Sequence, residues 1–164
     1  MSIAHSELLQ RLHYDPDTGI WIWLEPPSNS CKAKTRADLN HKSSYRTVKI
    51  NKKKQLSHRL AWFYMTGSWP TAHIDHRDRD GNNNRWNNLR LASRSENAAN
   101  SKRPRTNTSG YKGVIWCAKT KCWRARIEVN GKTICVGTSR DKESARELYV
   151  AAAKKYFGEF ANVD

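Results

Sequence analysis

Acidic side chains are scarce in this chain: 15 Asp and Glu stand against 30 Lys and Arg, leaving a formal net charge of +15 and a pI near 10. Solubility alone does not demand so one-sided a balance. It points to a polyanionic partner, and nucleic acid is the commonest one. No run of 18 apolar residues occurs, so no membrane-crossing helix is expected. A basic-then-apolar leader is missing as well, and the expected location is intracellular. Cysteine is sparse. Cys31, Cys117, Cys122 and Cys135 contain no Cys-x-x-Cys pair and no His at zinc-finger spacing. Cys117 and Cys122 could meet across a hairpin, but free thiols are the expectation in a reducing interior. No feature announces a protein partner, and a monomer is expected.

What the chain does have is tryptophan, seven in 164 residues, each able to bury a large area in a small core. Residues 1–12 suggest a short helix with Leu8, Leu9 and Leu12 on one face. Asp15-Pro16-Asp17-Thr18-Gly19 is a turn signal, and GIWIWLE after it alternates as a strand. Residues 26–44 read as an irregular loop. YRTVKI, NKKK and QLSHRL read as a hairpin with lysines at its turn, followed by a short buried helix from His58 to Met65 that stops near Gly67 and Pro70. No carboxylate adjoins His58, which suggests a structural or phosphate-contacting role. His73 lies two residues from Asp75, either exposed or against DNA.

Chemistry concentrates in IDHRDRDGNNNRWNNLRLASRSEN. Asp75 precedes His76 directly, Asn88 follows Asp75 by 13 residues and Asn97 by 22. An Asp-His pair sets a hard oxygen ligand beside an imidazole with an unperturbed pKa of about 6.5, suited to general base work. Arg77 through Asn84 forms a loop, and the chain returns through Asn88-Leu89-Arg90-Leu91. Ser93-Arg94-Ser95-Glu96 fits a capping box, which puts Asn97 in the first turn of a short helix. Two protein oxygens with waters and a substrate phosphate make a Mg²⁺-type site. Taken alone, an Asn-rich loop is an ordinary turn and an Asp-His pair an ordinary hydrogen bond.

With its spacing, the segment resembles the HNH homing endonucleases of phages, in the variant whose last His is replaced by Asn. The resemblance implies two strands, a loop and a helix folded round one divalent metal ion, Mg²⁺ first and Mn²⁺ as the alternative. It implies metal ligation by Asp75 and Asn97, a general base at His76, and support of the catalytic loop from Asn88.

From Ser101 the composition changes to SKRPRTNTSG, a linker or an arm on DNA that would use Lys102, Arg103 and Arg105. Beyond it three strands are readable, YKGVIWC, KCWRARIEV and KTICVG, with Asn130-Gly131 as a hairpin turn. Alternation puts Trp123, Ala125, Ile127 and Val129 on one face and Arg124, Arg126 and Glu128 on the other. A helix from Lys142 to Phe157, capped by Asp141 and stopped by Gly158, would cover the apolar face with Ala145, Leu148, Tyr149, Ala152, Ala153 and Tyr156. Residues 101–140 carry ten basic residues against one acid, Glu128.

Residues 109–163, from YKGVIW to the closing FGEFAN, are similar to the DNA-binding domain of plant ethylene-response factors (the Apetala type). That resemblance implies DNA contacts from Lys112, Arg124, Arg126 and Glu128. Ile115, Thr133 and Cys135 depart from the plant pattern, so the plant target sequence does not carry over. Trp116 is either a groove-contacting residue or core. The expected fold is α+β: a ββα-metal nuclease domain over 1–100 with a β-rich N-terminal extension, a basic linker over 101–110, and over 111–164 a three-stranded antiparallel sheet packed on one helix. The expected function is metal-dependent cleavage of double-stranded DNA, of homing type, with a single metal site favouring nicking. Truncation near Arg105 would be expected to leave weak nicking. A catalytically silent DNA-binding regulator is the main rival, and an RNA-binding module the third reading.

Overall fold

Apolar side chains gather into two separate cores. The computed structural model describes residues 3–26, 32–40 and 45–163, and the chain divides into two units, Met1–Leu91 and Ala92–Asp164. Both are mixed α/β. No helix among the described residues is long and apolar enough to cross a membrane.

In the first unit α1 (His5–Arg11) runs straight into β1 (Leu12–Tyr14), which pairs antiparallel with β2 (Trp21–Trp23). Leu8 and Leu12 are fully buried, whereas Leu9 faces solvent, so the apolar face of α1 is narrower than expected. Asp15 builds the turn between the strands: its Oδ1 accepts the Asp17 N–H at 2.9 Å. Gly19 ends that turn at φ +73°, in the left-handed region that favours glycine.

A second sheet joins β3 (Asp38–Asn40), β4 (Arg46–Ile50) and β5 (Lys53–Leu56), antiparallel and in that order. The loop expected over 26–44 therefore contains a strand. Its anchor is the buried carboxylate of Asp38, which takes Arg36 Nε and Arg46 Nη1, each at 2.9 Å. Such polar anchoring leaves no hydrophobic alternation for a reader of the sequence. Residues 27–31, with Cys31, and 41–44 lie outside the described residues. Asn51 and Lys52 both have positive φ, the requirement of a two-residue type I′ hairpin, and the register sets Lys49 opposite Lys54.

The helix α2 (Ser57–Thr66) begins one residue before its expected start and stops at Gly67, a left-handed C-cap. Leu60, Ala61 and Phe63 of α2 close the core over Tyr14, Trp21 and Trp23, and Trp69 stacks on Phe63 with 4.5 Å between centroids. The paired strands β6 (His73–His76) and β7 (Leu89–Ala92) complete the unit, joined by the Asn-rich loop and a 3₁₀ turn at Trp86–Asn88.

The second unit opens with α3 (Arg94–Asn100), whose capping box is present: Ser93 Oγ accepts the Glu96 N–H, and Glu96 Oε2 accepts the Ser93 N–H. Three antiparallel strands follow, β8 (Val114–Cys117), β9 (Cys122–Val129) and β10 (Lys132–Ser139), with β9 central. Then comes α4 (Lys142–Phe157), N-capped by Asp141. Its buried residues are Ala145, Tyr149, Ala153 and Phe157, a strict i, i+4 row. Leu148 and Tyr156, expected inside, are exposed, because a four-residue row drifts little on a helix and admits only one stripe. Gly113 lets Tyr149 approach: a Cβ there would lie 2.2 Å from its ring.

The division at Leu91 and Ala92 falls earlier than the boundary expected at residue 100, since α3 packs into the second core. Ala99 belongs to that core. The Ala99 carbonyl accepts both the Asn162 N–H at 3.3 Å and Lys112 Nζ at 2.5 Å. Nor is 101–110 simply a connector. Asn107 Oδ1 accepts the Gly110 N–H, its Nδ2 donates to the Tyr111 carbonyl, and Ser109 is buried.

Candidate catalytic site

Strand β6 carries the two candidate residues side by side, and both are buried. Asp75 is 4% and His76 5% exposed, while His73 points outward. Asp75 Oδ2 accepts Arg90 Nε at 2.9 Å, from the neighbouring strand β7, and the two side chains are 5% and 7% exposed. A buried carboxylate must be paired. Arg90, unremarked in the sequence, is that partner.

His76 Nε2 lies 3.1 Å from Asn84 Oδ1, a contact buried on both sides. The amide is oriented by its other end, since Asn84 Nδ2 donates to the Asn82 carbonyl at 3.5 Å. An amide oxygen only accepts, so the neutral imidazole carries its proton on Nε2 and its lone pair on Nδ1. Asn88 serves the loop. Its Oδ1 accepts the Asp78 N–H at 3.1 Å, and its Nδ2 donates to Asp78 Oδ1 at 2.9 Å and to the Asn83 carbonyl at 2.7 Å. It ties the loop across its mouth.

Two aromatic neighbours complete the surroundings of His76. The ring of His58 meets it edge-on at 5.1 Å between centroids, and Tyr45 lies at 5.8 Å. His58 is buried, with no hydrogen-bond partner for Nδ1 among the described residues. Burial, then the nearby charges of His76 and Arg59, push its pKa down to about 3. Between that value and the unfolded value of about 6.5, the unfolded chain takes up a proton and the folded chain does not, so stability rises with pH. The contribution is complete above pH ~6.5 and fades as pH falls toward 3. Thermal unfolding followed from pH 7 to pH 4 should show a loss of roughly 3 kcal/mol from this group. The loss should be smaller in His58→Phe; equal pH slopes for both proteins would refute the assignment.

Asn97 occupies the first turn of α3 and is half-buried. A carboxylate from Asp75 and an amide oxygen from Asn97 are the donor types a hard divalent ion takes. Among the described residues no group of three or more His, Cys, Asp or Glu could hold a metal.

Residues 55–99, a stretch that holds Asp75, His76, Asn84, Asn88 and Asn97, match the family model described as HNH endonuclease. This segment is similar to HNH endonuclease domains. The chain is 40% identical over 76 residues to Protein 3.8 of Escherichia phage T7, covering 46% of this chain and 63% of that protein. It is 31% identical over 110 residues to the Uncharacterized HNH endonuclease L560 of Acanthamoeba polyphaga mimivirus, covering 66% of this chain and 56% of that protein. The matches thus span less than two thirds of either relative's length. No solved structure matches the chain. Asn84 and Arg90, which touch His76 and Asp75, were not singled out in the sequence, whereas His58, expected in a structural or phosphate-contacting role, packs edge-on against His76. Asn84 was hidden in a run of three asparagines whose ordinary meaning is a turn.

The residues expected on DNA fall into three groups. Arg126, Glu128 and Trp116 are exposed on the sheet, and Lys102, Arg103 and Arg105 on the chain before it; Arg103 Nη1 donates to the Gly110 carbonyl. Arg124 is half-buried, with one Nη donating to Cys117 Sγ at 3.4 Å and no partner for Nε. The ammonium of Lys112 is engaged with the carbonyls of Ala99 and Ser101, which makes it a cap for the end of α3 rather than an outward side chain.

Proposed function

We propose that this chain is a metal-dependent DNA endonuclease of the homing type, in which the HNH domain cuts and the second unit recognises. The observation that carries the reading is a buried imidazole beside a buried carboxylate, with its Nε2 3.1 Å from Asn84 Oδ1, inside the segment that matches the HNH endonucleases. His76 Nδ1 takes a proton from water as that oxygen attacks phosphorus in line. A new P–O bond forms and the bond to the 3′ oxygen breaks, giving 3′-hydroxyl and 5′-phosphate ends. The Asn84 oxygen accepts from Nε2–H throughout and stabilises the imidazolium that results. Asp75 and Asn97 would hold one divalent ion, Mg²⁺ first, which supplies charge neutralisation at the leaving oxygen and the phosphate. With one such site per chain, a monomer nicks.

Recognition belongs in this proposal to the sheet of the second unit, whose domain we relate to the plant ethylene-response type. Arg126 is its main reader, because its guanidinium is exposed on β9 whereas the Arg124 guanidinium and the Lys112 ammonium are engaged within the unit. The strong positive charge supports a duplex DNA substrate. Incubation with candidate genomic DNA and Mg²⁺, with the ends mapped, tests the function directly. His76→Ala should cut about 10²–10⁴-fold more slowly and bind DNA as the wild type does. Cutting at wild-type speed would remove His76 from the mechanism.

A further inference from the structure

Resting on that reading of His76, we infer that Asn84 is a positioning residue for the catalytic histidine, held in place by the turn at the N-terminal end of the chain. Asn84 touches neither substrate nor reacting atoms. Its Oδ1, 3.1 Å from His76 Nε2, fixes which ring nitrogen keeps the lone pair. At 1% exposure Asn84 is buried more deeply than His76 itself, so water does not compete for the contact.

What holds Asn84 is distant in sequence. Tyr14, at the end of β1, donates its hydroxyl to the Asn84 carbonyl at 2.6 Å across 70 positions. Pro16 accepts the Trp86 N–H at 2.9 Å. Gly19 presses on the same peptide: a Cβ there would stand 2.4 Å from the Asn84 carbonyl carbon and 2.6 Å from the Arg85 nitrogen. Three residues of one turn thus grip the backbone on either side of the Asn84–Arg85 bond. That makes a rigid platform for one amide oxygen. The turn over 15–19, which the sequence marks only as a turn, thereby helps to position His76 through Asn84.

The choice of an amide has a physical reason. A carboxylate would accept the same hydrogen bond but bring a negative charge toward a substrate that is itself a polyanion. An amide oxygen orients the ring without that repulsion.

Two readouts test this, and one does not depend on cleavage. Nitrogen NMR of His76, with the ring neutral, should report the Nε2–H tautomer in wild type and in Asn84→Asp, and a mixture in Asn84→Leu. Steady-state cleavage by Asn84→Leu should show kcat lower by about 10²-fold with KM little changed, as expected when a reacting group is misplaced rather than binding lost. Asn84→Asp should recover part of that kcat. Tyr14→Phe, which removes only the hydroxyl that grips Asn84, should shift the ring signature in the same direction by a smaller amount. A wild-type ring signature or a wild-type kcat in Asn84→Leu overturns the inference. If the wild-type protein itself left DNA uncut, the proposed reaction would fail, while the ring signature would still decide whether Asn84 holds His76.

Discussion

Asp75→Ala is expected to lose about 3–5 kcal/mol of folding stability together with its metal-stimulated cleavage, because the substitution leaves a buried guanidinium without its carboxylate. Asp75 and Arg90 face each other at 2.9 Å with almost no access to water. Their mutual attraction offsets the cost of removing both charges from solvent, and neither can be deleted alone at small cost. Loss of activity in Asp75→Ala therefore does not by itself speak for a metal. Asp75→Asn separates the two roles, since it keeps the volume and an oxygen for Arg90 Nε while removing the charge that a divalent ion needs. Denaturant midpoints for both variants, beside cleavage over a Mg²⁺ series, make the measurement. An unshifted midpoint in Asp75→Ala would show that the ion pair is not structural. Full Mg²⁺-stimulated cutting in that variant would place the metal elsewhere.

A chain ending at Arg105 is expected to lose cleavage entirely. The opposite outcome, residual nicking by a free-standing nuclease half, follows from the sequence if the boundary lies at residue 100. It does not follow once α3 is seen in the core of the second unit. Truncation removes Asn162, which donates to the carbonyls of Ala99 and Ser101, and Lys112, which caps the same end of the helix. It also exposes the Ala99 face. A seven-residue helix has no stability of its own without tertiary packing. Asn97 rides on that helix. Lys112→Ala in the full chain should be a milder version, with reduced cleavage and undisturbed folding of the first unit. Hydrogen exchange across residues 94–100 checks both, and nicking by the truncated chain at anything near the wild-type rate would sink the argument.

These corrections mark where sequence reading stops. Asp75, His76, Asn88 and Asn97 could be proposed as site residues because their spacing is a pattern along the chain, and the capping box at Ser93 and Glu96 was legible because it needs only a few residues to declare itself. The α4 helix and the hairpin at Asn130-Gly131 were equally local. Arg90 was not legible, because its pairing with Asp75, fifteen positions away, depends on how two short strands line up across the loop between them. The strand β3 rests on a buried Asp38 between two arginines, a polar motif with no periodicity to read. Asn84 is the sharpest case: its amide matters only because Tyr14 and Gly19, some 65–70 positions earlier, come to rest on its backbone.

The hairpin between β4 and β5 carries a consequence for handling the protein. Lys49 and Lys54 stand directly opposite, so like charges repel across a ladder of only a few residues. Added salt screens that repulsion within a Debye length of about 8–10 Å and so firms the hairpin. The same salt weakens the grip of any basic surface on DNA, because counterions released into a saltier solution gain less entropy. Ionic strength then acts with opposite signs on the free protein and on its complex. The buffer in which the protein keeps best on the shelf is the one in which its basic surface is least able to hold DNA.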